Sequence, residues 1–369
     1  MKYRWSLVEL KLKLLQAKLL KDKEALLQYQ SIINQYQYNE NLTPKDFLMS
    51  EPAYDLCWCE AINQYASYTS PVDDTIFDIV TDLFIKYGDS LEIFENSSYT
   101  PLYLSNDALV EEVYSIIKSM NAADVLEFFE ELLYKRKINI IDRNEILKGN
   151  TEEVAGITFK DSLYNISYIN LFRNYTVQDI DSLVHETMHA YFNRLLHDYS
   201  FTGNTPYLME LEGEFGSMYA TDQMAIKGYP DINTLINSEI DFYLQNSYIT
   251  LITSLLFITG SNRDYNLVAL NNRLEHDIKN LNIIIRDEDV PNFLGVNQYE
   301  CFANTTAYLT AIDLMKTYST PEIIDIIGLM KLYDGKDIIG LLDRYGVTFH
   351  RDGLENFNKR YTLARKNTH

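Results

Sequence analysis

The sequence predicts a mainly α-helical fold carrying one small β-sheet, and three observations predict it. Glycine is scarce in the first part of the chain: of 14 glycines, only Gly88 precedes residue 149. Apolar residues in that part recur every three to four positions, the period of one helix face. The exception is residues 137–175, where Ile138, Ile140 and Ile141 are β-branched and Gly149 and Gly156 interrupt helical spacing.

In chain order, the first helix is expected at about 5–35, with Leu7, Leu10, Leu14 and Ala17 on one stripe. Thr43-Pro44, Ser50 before Pro52, and Ser70-Pro71 each place a capping side chain next to a proline suited to a first turn. Gly88 would end the helix that starts near Pro71. Two more helices are expected at about 106–119 and 122–136. The run Ile166-Ser167-Tyr168-Ile169-Asn170-Leu171-Phe172 reads as a strand, and Thr176 with Asp179 forms a T-x-x-D cap for the helix after it. Gly346 would close a helix over 336–344, and a last helix is expected from about 353 to 365. There is no internal repeat and no low-complexity linker. The composition changes near 145, which suggests a helical lobe at 1–145 and a second lobe at 146–369 within one continuous fold.

The 369 residues carry a formal charge of −21, with 46% hydrophobic and 23% charged residues. Those proportions belong to a globular chain with enough apolar material for a large core. The negative charge argues against nucleic acid, whose phosphates need a concentrated basic surface. Positive charge gathers only at the start, where Lys2, Arg4, Lys11, Lys13, Lys18, Lys21 and Lys23 outnumber Glu9, Asp22 and Glu24. Acidic residues within that segment and the lack of a small-residue cleavage site favour a folded helix over a targeting peptide. No run approaches ~18 apolar residues, so no membrane span is expected. Cys57, Cys59 and Cys301 lack the spacing of a zinc or dithiol motif, and free thiols in a reducing cytoplasm are expected.

The segment Leu183-Val184-His185-Glu186-Thr187-Met188-His189-Ala190 contains HExxH. In a chain with six histidines, chance would produce this pattern on the order of once in a hundred such chains. On a helix, His185 and His189 lie one turn apart on one face and can grip a single metal ion. Two neutral imidazoles, a carboxylate and an open position suit Zn²⁺, one per chain. Glu186 would then stand beside the water in that open position, ready to take its proton and pass it to a leaving amine.

The third ligand is open between two residues. A metzincin would need Gly at 192 and His or Asp at 195, and the chain has Phe192 and Leu195. A glutamate from a later helix is the alternative, and residues 206–217 offer Glu210, Glu212 and Glu214. Glu210 and Glu214 share a face at i,i+4, and Glu212 points away from both. One of the pair can bind metal and the other orient a ligand. Among the remaining candidates, His197 could line the same face two turns beyond His189, His276, His350 and His369 have no ligand spacing, and Ser217 has no base partner in the sequence.

The stretch Ile169-Asn170-Leu171-Phe172 and the run from Asp179 to Ala190 resemble the thimet oligopeptidase / oligoendopeptidase F family of zinc peptidases. In that family a strand leads to a helix bearing D…L-x-H-E-x-G-H-A, and a later helix carries E-x-(A/P)-S. Glu214-Phe215-Gly216-Ser217 is similar to the second motif, which implies Glu214 as the zinc ligand, with Glu210 in reserve. The closing segment Lys336–Val347 is like the family's LL…GV helix. The resemblance covers residues 150–365 and implies a two-lobed helical zincin-type peptidase. Its small sheet lies next to the HExxH helix, and its N-terminal lobe is short.

The sequence departs from the family at three positions. Met188 replaces a glycine, Asn292 stands where a substrate-contacting histidine is expected, and Phe302 replaces a tyrosine, which leaves Tyr299 as the best-matched phenol. The implied activity is a zinc-dependent metallopeptidase acting on short oligopeptides. His185, His189 and Glu214 would hold the metal, Glu186 would be base and then acid, and Tyr299 would hydrogen-bond the oxyanion. The competing expectation, motivated by Asn292 and Phe302, is a catalytically impaired peptide-binding or scaffold relative that keeps the zinc site. A helical zinc carboxypeptidase would use the same ligands. The sequence names no partner beyond a peptide and sets no oligomeric state.

Overall fold

The structure is a computed structural model. It describes residues 82–83, 86–87, 99–142, 155–161, 166–195, 210–259, 268, 271–272, 275, 284–286, 298–331, 338–347 and 354–366. The expected helix at 5–35, the caps at Thr43, Ser50 and Ser70, the cysteines at 57 and 59, and Asn292 lie outside the described residues. So does the expected change of lobe near 145.

Two helices open the described part. Helix α1 (Asn106–Ser119) starts from Ser105, whose hydroxyl accepts from the backbone N–H of Ala108 at 3.1 Å. Helix α2 (Ala123–Tyr134) buries Val125, Phe128, Phe129 and Leu132, the i, i+3, i+4, i+7 stripe of an amphipathic helix. These bounds lie within two residues of the sequence-based ones.

The β-branched stretch becomes a three-stranded sheet. Strand β1 (Ile138–Asp142) runs parallel to β3 (Ile166–Arg173), β2 (Gly156–Asp161) runs antiparallel to it, and β3 lies in the centre. Ser167 through Arg173 are all buried, so both faces of β3 are covered. Ile169 and Leu171 enter the main core, while Tyr168 lies under the Lys137 ammonium, 4.8 Å from the ring centre.

Helix α3 (Gln178–Leu195) packs on β2 and β3, and helix α4 (Leu211–Lys227) packs across α3. The predicted cap at Thr176 and Asp179 is elaborated. Thr176 Oγ1 accepts from the N–H of Gln178 at 3.3 Å, and Asp179 reaches back to the N–H groups of Asn174 and Tyr175 at 2.8 and 2.9 Å. Asp179 also pairs with Arg173 Nε at 3.1 Å, both side chains being 2% exposed. The same guanidinium donates to Leu104 O and Asn106 Oδ1. A buried cation therefore ties the end of β3, the start of α3 and the start of α1 into one joint.

Gly228, in the left-handed region at φ 73°, ends α4. Helix α5 (Ile232–Thr259), α6 (Gln298–Thr317), α7 (Thr320–Lys331), α8 (Ile338–Arg344) and α9 (Leu354–Lys366) complete the described chain. Gly346, at φ 69°, closes α8 as expected. The mainly helical architecture with a small sheet beside α3 is the fold class the sequence predicts. No described helix is long and apolar enough to cross a membrane.

Candidate metal centre

Helix α3 presents His185 and His189 on the face turned toward α4. Nε2 of His189 lies 2.9 Å from Nε2 of His185 and 3.0 Å from Oε2 of Glu210, and the third side of the triangle is 3.5 Å. Donors held about 2.0–2.1 Å from a tetrahedral ion stand roughly 3.4 Å apart, so the triangle encloses a metal-sized space.

The opposite ring nitrogens are both engaged. Nδ1 of His185 meets Ser217 Oγ at 3.2 Å, and Nδ1 of His189 meets Glu212 Oε1 at 3.1 Å. With both rings neutral and protonated on Nδ1, two imidazole lone pairs and a carboxylate oxygen converge with no donor among them. That arrangement fits a cation, and His185, His189 and Glu210 could hold a metal ion.

Two glycines let α4 come this close. A Cβ on Gly213 would stand 2.5 Å from Cε1 and Nε2 of His185 and 2.7 Å from Nε2 of His189. A Cβ on Gly216 would stand 2.8 Å from Cγ of Met188. Gly216 thus receives Met188, the side chain that replaces a glycine in the HExxH segment.

Glu186 is 8% exposed and faces β2, where a Cβ on Gly156 would meet its Cγ at 2.7 Å and Oε1 at 3.0 Å. Thr158 on the same strand donates to the Glu186 carbonyl at 2.8 Å. Among the described residues β2 is an edge of the three-stranded sheet, so it offers backbone groups beside the Glu186 carboxylate.

Burial disfavours a charged His189, yet the Glu210 and Glu212 carboxylates outweigh it and hold the ring's pKa well above the ordinary value. For His185 the same balance also ends in a raised pKa, with Glu210 the leading opponent of burial. Glu210 is held well below the carboxylate range, because the two histidines overcome its burial.

Glu214, the ligand implied by the family resemblance, is placed differently from Glu210. Its carboxylate is 6% exposed and accepts from the Tyr243 hydroxyl on α5. Burial pushes its pKa up to about 7, despite the opposing His185 charge and the Tyr243 bond. Glu214 is thus outside the donor triangle, although its charge still reaches His185.

Further polar groups surround Glu214. Asp181 accepts from Ser217, and burial raises its pKa. Glu239 takes a bond from Thr221 at 3.4 Å, stands 3.8 Å from Arg360 Nη2, and is pushed up to about 8 by burial and by the charge of Asp181. Tyr308 stacks on Tyr243 at 3.8 Å between centroids.

Of the remaining sequence candidates, Tyr299 and Phe302 lie on the first turns of α6, and their side chains are outside the described set. His197 is also outside it. Glu212, which the sequence pointed away from the site, reaches His189. Ser217, set aside as a nucleophile, holds His185. Lys331 and Tyr243, each paired with one of these glutamates, carried no signal in the sequence. The i,i+3 glycines at 213 and 216 were the available sign that two helices touch there.

No family sequence model and no curated protein sequence matches the chain. Solved structures do match. A Bacillus anthracis protein assigned as an oligoendopeptidase F superposes with TM-score 0.56 at 13% identity, over 81% of this chain and 57% of that one. A second oligoendopeptidase F assignment gives TM-score 0.57 at 12% identity, over 97% of this chain and 71% of that one. A Chlamydophila abortus protein assigned as a peptidase gives 0.55 at 12% identity, over 82% of this chain and 56% of that one. The chain thus spans little more than half of the first and third of these proteins. At such identities the likeness is one of fold alone: the chain has the fold of these oligoendopeptidase F and peptidase structures.

Proposed function

We propose that the chain is a zinc-dependent metallopeptidase that hydrolyses short oligopeptides. The observation that carries this reading is the convergence of His185 Nε2, His189 Nε2 and Glu210 Oε2 on one point, with Glu186, next to His185 on the same helix, near enough for its charge to act on that ring. Two imidazoles and one carboxylate are a donor set suited to Zn²⁺. Glu210 is the third donor in this arrangement, and Glu214, implied by resemblance, is the alternative. A cation held there supplies Lewis acidity, acidifying water and polarising a carbonyl.

The chain's own residues supply the rest. Ser217 and Glu212 fix both rings with Nε2 inward. Glu186 takes the proton of the attacking water and returns it to the departing amine. Tyr299 remains the proposed oxyanion donor, from the second residue of α6. An extended peptide can add to the β2 edge, which supports a peptide substrate over a compact one. The names of the structurally similar proteins support the same class.

The test is cleavage of a quenched-fluorescent oligopeptide library by zinc-loaded protein, with and without chelator. Chelator-sensitive cleavage is expected. A zinc-loaded chain that cleaves no peptide but binds them would establish the scaffold reading instead.

A further inference from the structure

We infer that Lys331 is a positioning residue of the metal centre: from the last turn of α7 it holds the Glu212 carboxylate against Nδ1 of His189, and so keeps that ring with Nε2 turned to the metal. The inference rests on the metal reading above and adds to it a residue 119 positions away from its carboxylate partner.

Glu212 is 1% exposed and Lys331 is 6% exposed at the side chain. Both Lys331 Nζ and His189 Nδ1 meet the same atom, Glu212 Oε1. The other carboxylate oxygen is buried without a hydrogen-bond partner among the described residues. A buried carboxylate this poorly solvated needs a counter-charge, and the ammonium supplies it.

The consequence for His189 follows from donor chemistry. A carboxylate accepts from Nδ1–H, so Nδ1 carries a proton, and in the neutral ring that binds a metal Nε2 is the nitrogen left with its lone pair. If Glu212 were displaced, it would no longer select that tautomer. Helix α7 is placed to deliver the ammonium. Gly328, one turn before Lys331, lies against Phe192 of α3, its Cβ position 3.8 Å from Cε1 of the ring, so that side chain packs on α7. The terminal turn of α7 then reaches the start of α4. Through this contact an element outside the HExxH segment and its glutamate helix governs a ligand's orientation.

The test uses the full chain and zinc as the probe, with affinity read by chelator competition at one pH. Lys331→Met is expected to weaken zinc by roughly 10–100-fold, the usual effect of losing an outer partner of a ligand. Lys331→Arg, which keeps the charge and donors, should restore affinity to within a few fold. The double variant Lys331→Met/Glu212→Gln should bind as Glu212→Gln does, because Lys331 acts through Glu212. Thermal melting of the apo proteins separates affinity from folding, and Lys331→Gln serves if the methionine variant does not fold. Wild-type affinity in Lys331→Met, or losses that add in the double variant, would overturn the inference and leave the metal site standing. A wild type that binds no zinc would remove both.

Discussion

Glu210 and Glu214 stand four residues apart on the same side chain chemistry, yet the structure gives them different partners. Glu210 is the residue before α4, with φ −95° and ψ −1°, and its side chain makes no capping bond. Its carboxylate is therefore available to both histidines. Glu214, inside the helix, is taken by Tyr243. The two residues can be told apart by zinc affinity. Glu210→Gln should lose more than roughly 100-fold, beyond the 10–100-fold typical of an outer partner, and Glu214→Gln should stay within that range. Chelator competition reads both, and the reverse order would restore Glu214 as ligand.

Between elements, the contact of α3 with α4 explains both what the sequence revealed and what it hid. HExxH, its helix, the strand before it and the closing glycine of α8 were legible, because each rests on local spacing or a local backbone need. Glu212 was not legible. On an isolated helix it points away from Glu210 and Glu214, but α4 starts only at Leu211 and crosses α3 at Gly213. Histidines on that crossing meet residues from both flanks of α4. Met188 and Gly216 show the same interlock, for Met188 is fully buried and fills the space a larger residue at 216 would need. Met188→Ala should cost about 2–5 kcal/mol. Gly216→Ala alone should cost about 1–3 kcal/mol by overpacking. Together they should cost less than the sum, by roughly 0.5–3 kcal/mol of coupling in urea unfolding. Strict additivity would mean that the two helices do not interlock there.

Across the whole molecule, the acidity met first as a net charge of −21 is partly interior. Asp181, Glu214 and Glu239 lie behind the histidines, and Arg360 is the cation among them. Glu239 is raised to about 8 from an ordinary 4.5. A carboxyl raised by folding binds its proton more tightly in the folded state, so its contribution to stability is present in acid and is lost as pH rises through that window. Glu239→Gln cannot ionise. It should match the wild type near pH 4.5 and melt on the order of 2 °C higher above pH 8. Thermal melts across that range check this, and a difference that does not change with pH would contradict it. Glu214 stood out in the sequence, but its grouping with Asp181, Glu239 and Arg360 was not legible, because these residues come from α3, α4, α5 and α9 and meet only in the folded chain.

The measurement that bears most directly on the proposed activity is a paired assay of zinc content and peptide cleavage in Glu186→Gln. Glu186 lies outside the donor triangle, so the variant should bind one zinc per chain like the wild type. Its cleavage of the oligopeptide library should fall by about 10²–10⁴-fold, the range for a lost general base. Equal cleavage by the two zinc-loaded proteins would contradict the account.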